Sequence, residues 1–100
     1  MDIIINTKDN ETVAAISGRL DTVASQEAAS QFEALQEKAE GTIVLDCSQM
    51  EYISSSGLRH FLTLRKAAAA KGGKIIIRGI NSDVRRVFMI TGFLNLFDIQ

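Results

Sequence analysis

The chain has 100 residues, 46% of them apolar and 23% charged, with eleven Lys and Arg against twelve Asp and Glu. That length suits one domain with a modest core; the near-zero balance argues against a basic nucleic-acid-binding face, and no apolar run approaches the ~20 residues that span a bilayer. A single cysteine, Cys47, and an N-terminus without the basic and long apolar stretches of a signal peptide make a reducing cytoplasm the expected compartment.

Ile3-Ile4-Ile5 and Val13-Ala14-Ala15-Ile16 flank the turn-forming Lys8-Asp9-Asn10, which predicts a hairpin of two strands. Asp21 or Thr22 can cap the helix that follows. In it Ala24, Ala28, Phe32, Leu35 and Ala39 recur at helical spacing, Glu27, Glu33 and Glu37 take the wet side, and Gly41 is the expected stop. Thr42-Ile43-Val44-Leu45 is a continuous apolar run, the mark of a strand covered on both faces. A loop from Asp46 to Ser54 is expected to lead into a second helix with Leu58, Phe61, Leu64 and Ala68 inward, closed by Lys71-Gly72-Gly73. Ile75-Ile76-Ile77 predicts another buried strand. Asn81-Ser82-Asp83 supplies cap chemistry for a third helix, with Val84, Val87 and Phe88 inward and Gly92 beyond its end. The apolar tail, Phe93 to Ile99, is expected to dock as a short helix or strand. The order β-β-α-β-α-β-α implies an α/β layer fold with right-handed crossovers.

The least ordinary stretch is Asp46-Cys47-Ser48-Gln49-Met50-Glu51-Tyr52-Ile53-Ser54-Ser55-Ser56-Gly57-Leu58. Serine is a preferred N-cap, so one serine here needs no function. The functional reading places an exposed hydroxyl at a helix start, where a phosphate would meet free backbone N–H groups and the positive end of the helix dipole. Other candidates carry less. His60 is the only histidine; it falls off the inward stripe and reads as a surface residue. Ser55 lacks the Gly-x-Ser-x-Gly elbow of a hydrolase nucleophile. Cys47 and His60 cannot make a metal site of four ligands, and no metal or cofactor is expected. Arg78 with Arg85 and Arg86 reads as a solvated face. Gly72-Gly73-Lys74 is a turn before a strand, the wrong context for a nucleotide loop.

Taken jointly, Gly18-Arg19-Leu20-Asp21, Leu45-Asp46, Tyr52-Ile53, Ser55-Ser56-Gly57-Leu58 and Gly72-Gly73 make the chain resemble anti-sigma factor antagonists of the STAS family over essentially its whole length. The resemblance implies a single mixed sheet of about four strands, an N-terminal hairpin followed by βαβαβ-type crossovers, covered by about four helices. It implies a non-enzymatic phospho-switch acting at Ser55. The partner would be an anti-sigma factor that is also a serine kinase of the GHKL type, bound when Ser55 is free and released when it is phosphorylated. A PP2C-type phosphatase would restore the free form. Asp21, Ser54, Ser56, Gly57 and Leu58 are the partner-binding residues this implies. The family usually has aspartate where this chain has Ser54, and Ser54 and Ser56 are alternative acceptors. A second expectation is a STAS subunit of membrane transport machinery that contacts a transporter ATPase without phosphorylation.

Overall fold

A computed structural model describes residues 1–100. The hairpin forms from β1 (Asp2–Lys8) and β2 (Glu11–Leu20), antiparallel, with Lys8 opposite Glu11 across the Asp9-Asn10 turn. Asp9 takes the left-handed conformation there (φ 57), which Asp and Asn tolerate best among residues with a side chain. The chain continues through α1 (Thr22–Glu27), α2 (Ala29–Gln36), β3 (Thr42–Ile53), α3 (Ser55–Lys71), β4 (Lys74–Arg78) and α4 (Ser82–Thr91). A single 3-10 turn (Phe93–Asn95) and β5 (Asp98–Ile99) complete it.

The strands lie in sequence order, β1-β2-β3-β4-β5, with every pair after the hairpin parallel. The sheet therefore has five strands where about four were expected, because the tail adds Asp98 and Ile99 beside Ile76 and Ile77. Right-handed crossovers that always advance in the same direction put every helix on the same face. The core agrees: one cluster joins Ile16, Ile43, Leu45 and Ile77 of the strands to Phe32, Phe61, Leu64 and Phe88 of the helices. The opposite face carries no helix. Val44 is still only 3% exposed, because Val13 and Ile76 flank it in register, while Ile4 on the same face is 63% exposed. The expectation of strands covered on both sides is thus corrected to a two-layer fold.

Two further expectations change. The first helical pattern is not one helix but two, meeting at Ala28, and it gives way to turns after Gln36, short of Gly41. The inward stripe survives this, with Ala28, Phe32, Leu35 and Ala39 all buried. The stretch from Asp46 to Ser54 is strand almost throughout. Against β2, Ala15 pairs with Asp46 but Ser17 with Gln49, and Gly18 pairs with Met50 but Arg19 with Tyr52. Each shift inserts one extra residue into β3, the signature of a β-bulge.

The remaining helices start and stop where cap chemistry dictates. The Asn81 side chain accepts from the Val84 amide at 2.7 Å to open α4, and Gly92 ends it in the left-handed conformation. The tail is held by an aromatic chain, Phe88–Phe93–Phe97, with ring centroids 5.7–6.3 Å apart.

Candidate functional site

Ser54 makes the corner between β3 and α3. Its amide donates to the Leu20 carbonyl at 2.9 Å, so β2 and β3 end side by side. Its extended backbone turns its Oγ toward the helix, where it accepts from the Gly57 amide at 3.2 Å. Ser54 is therefore the N-cap of α3, 7% exposed, with its hydroxyl 3.5 Å from that of Ser25 on α1. Ser55 is the first residue of α3 and is exposed; Ser56 is half-buried.

Asp21 directly follows Leu20, so the same backbone bond sets it at the strand end next to Ser54. Its Oδ1 accepts from the Ala24 amide at 2.9 Å and caps α1, leaving the side chain half-exposed. The capping role expected for Asp21 is thus present. Gly57 and Leu58 are buried under this corner. A Cβ on Gly57 would lie 2.8 Å from Ile53 Cγ1 and 2.9 Å from Leu20 Cδ2, so only glycine lets α3 approach the two strand ends this closely. Of the six residues singled out, Ser55 is exposed and Asp21 and Ser56 are half-exposed. Ser54, Gly57 and Leu58 form the support beneath them.

His60 is not the free surface residue expected. Its Nε2 donates to the Ser25 carbonyl at 2.9 Å, and its ring stacks on Phe32 with centroids 4.4 Å apart and planes within 3°. The ring ties α3 to both α1 and α2 and makes no bond to Ser55. An open polar hollow between α1 and α3 is lined by Ser25, Gln26, Ser56, Arg59, His60 and Thr63 together with Ala29 of α2. A wider hollow lies at the other end of the molecule, beside the β1–β2 turn, away from these residues.

Two residues at this end, Ser25 and Val23, escaped the sequence reading. Ser25 occupies a core-facing helical position, 1% exposed, where the pattern favours an apolar residue. Val23 is 62% exposed on α1, two residues from Asp21, and a lone β-branched apolar side chain on a polar helix face was a signal that could have been used. Arg19 lies over the Tyr52 ring at 4.4 Å, on the strand face opposite Leu20 and Ile53.

Asp46 belongs to the framework. The Ser48 hydroxyl (2.8 Å) and amide (3.1 Å) both donate to its Oδ1, and Arg78 reaches Oδ2 at 3.5 Å. The Ser48 hydroxyl bond is the largest influence on this carboxyl; burial, next in size, opposes it, and the Ser48 amide and Arg78 add to it, so the carboxyl is held below its ordinary range. Asp46 thereby secures the first bulge, and Arg78 is a paired cation rather than part of a free basic cluster. No three His, Cys, Asp or Glu side chains converge, and no helix is long and apolar enough to cross a membrane.

The family model described as the STAS domain matches residues 2–100. The chain is 29% identical over 99 residues to BtrV of Bordetella bronchiseptica, which is named an anti-sigma factor antagonist, covering 99% of this chain and 85% of that protein. It is 23% identical over 103 residues to the anti-sigma-B factor antagonist of Listeria monocytogenes, with 100% and 90% covered. Among solved structures, an anti-sigma factor antagonist from Thermotoga maritima superposes with a TM-score of 0.86 at 20% identity, over 97% of this chain and 84% of that one. The phosphorylated form of the Bacillus cell fate determinant SpoIIAA superposes with a TM-score of 0.75 at 18% identity, over 99% and 91%. At these identities the structural likeness establishes the fold.

Proposed function

The chain belongs to the STAS domain family, and from that premise we propose that it is an anti-sigma factor antagonist whose partner binding is switched by phosphorylation of Ser55. The observation that carries this reading is the division of labour among three consecutive serines. Ser54 is buried and spends its hydroxyl on the cap, Ser56 is half-buried at the hollow, and Ser55 alone is exposed with its hydroxyl unengaged. The relatives named above as anti-sigma factor antagonists favour the same reading.

The chemistry is that of a modification the fold can bear. A phosphate adds about −1.5 to −2 charges at neutral pH. At the first residue of α3 that charge faces the free amides and the positive dipole end, so it favours the helix. Its cost falls on the partner, through repulsion and the desolvation of a buried charge. The unmodified form would bind an anti-sigma factor that is a GHKL-type serine kinase, and a PP2C-type phosphatase would regenerate it. Ser54 already performs the backbone task an aspartate would perform there, accepting from the Gly57 amide. What the substitution removes is a negative charge beside the acceptor, and the kinase must recognise Ser55 without it.

Incubation with ATP and the GHKL-type anti-sigma factor kinase of the same organism, followed by fragment mass spectrometry, tests the proposal. A single phosphate on Ser55 is the expected result. Phosphate on Ser56, or none, would overturn the assignment. Co-purification with a transporter ATPase instead of a kinase would favour the transport reading.

A further inference from the structure

Arg59 is one helical turn beyond Ser55, and both are exposed on α3, a regular helix of 17 residues. Side chains at i and i+4 are neighbours, about 5–6 Å apart at Cβ. The other arginines at this end and along α3 are occupied: Arg19 lies on Tyr52, and Arg65 Nε donates to the Leu96 carbonyl at 2.7 Å. Neither ion pair of the chain involves Arg59, and its guanidinium makes no hydrogen bond. It also borders the hollow between α1 and α3, which no carboxylate lines. His60, the other basic side chain there, is already committed to the Ser25 carbonyl. The hollow is thus a polar recess whose one fixed charge is an uncompensated guanidinium, and it complements an acidic group.

We infer that Arg59 reads the state of Ser55: it pairs with a carboxylate of the anti-sigma factor when Ser55 is free, and with the phosphate of its own chain when Ser55 is modified. This rests on the reading of Ser55 as the phosphorylated residue. A phosphate carries more charge than a carboxylate and offers three acceptor oxygens to a planar donor fork. Being attached to the same helix, it needs no association step to reach Arg59, so it displaces the partner's acid. Phosphorylation then acts twice, adding repulsion and withdrawing the cation the partner uses.

The test uses the whole chain, unmodified and phosphorylated on Ser55, as wild type, R59Q, R59K and R85Q. Unmodified R59Q should bind the anti-sigma factor about threefold to fivefold more weakly, the size of one solvent-exposed ion pair, with a shallower salt dependence. R59K should recover part of that loss. In phosphorylated R59Q the phosphoserine followed by 31P NMR should titrate higher than in wild type, by on the order of half a unit. R85Q removes the same charge from α4 and should leave both readouts at wild type; an equal change in R85Q would mean that overall charge is responsible and would overturn the role of Arg59. If wild type binds the partner and takes phosphate on Ser55 while R59Q matches it in both readouts, Arg59 alone loses its role. If wild type takes no phosphate on Ser55, the reading of Ser55 falls and this inference falls with it.

Discussion

The Ser54 amide and the Leu20 carbonyl meet at 2.9 Å, and this one backbone bond brings together two segments that the sequence holds far apart. On one side of it Asp21 caps α1; on the other Ser54 caps α3. Two helix starts, their caps and the exposed Ser55 therefore share one corner of the molecule.

Ser54→Ala removes the acceptor for the Gly57 amide. Loss of an N-cap hydroxyl costs about 1 kcal/mol, which for a domain of this size lowers Tm by roughly 4–8 °C. Calorimetry of the two proteins checks this; an unchanged Tm would mean that the cap bond contributes nothing.

Ser55→Asp places a negative charge at the first residue of α3. It should hold Tm or raise it, since such a charge is favourable by about 0.3–1 kcal/mol, while weakening binding to the anti-sigma factor. Thermal unfolding together with a titration of the partner separates the two effects. A large fall in Tm would mean that Ser55 is structural.

Gly57→Ala sets two effects against each other. Alanine improves helix propensity by about 1 kcal/mol over glycine, but its Cβ would meet Ile53 and Leu20 at 2.8 and 2.9 Å. Both neighbours are at most 2% exposed and have no room to retreat. Overpacking costs about 1–3 kcal/mol, so a net loss is expected from urea unfolding.

Cys47 gives a pH signature. Burial, with a smaller contribution from the Asp46 carboxylate, pushes its thiol up to about 12. In the unfolded chain a thiol titrates near ~8.5. Between these values the unfolded state sheds a proton that the folded state keeps, so stability falls as pH rises from about 8.5 toward 12 and is untouched by this group below that window. Cys47→Ala should flatten that part of the curve. Native protein should also resist a thiol reagent at pH 8 until it is unfolded.

Local patterning carried much of the fold. Helical spacing marked Leu58, Phe61, Leu64 and Ala68 on α3, and all four are buried. Asn81 and Gly92 bounded α4 through cap chemistry that acts within one turn. The strand through Asp46 to Ile53 escaped because its two bulges break the alternation of faces: the buried residues Cys47, Met50 and Ile53 fall three apart instead of two. The division at Ala28 had no glycine or proline to announce it. The hydrogen bonds of Ser25 to Ser54 and of His60 to Ser25 join segments far apart in the chain, and no local pattern encodes such a pair.

By itself the sequence determined the order of the first four strands and the helical segments between them, the inward stripes of the helices and the serine-rich start of α3, because each of these depends on neighbours within a few residues. Only the tertiary structure decided which serine is buried, which face of the sheet stays bare, and that Asp21, Ser25, Ser55 and Arg59 share one end of the molecule. Those outcomes depend on strand register and crossover direction, which are fixed by contacts between residues distant in the chain.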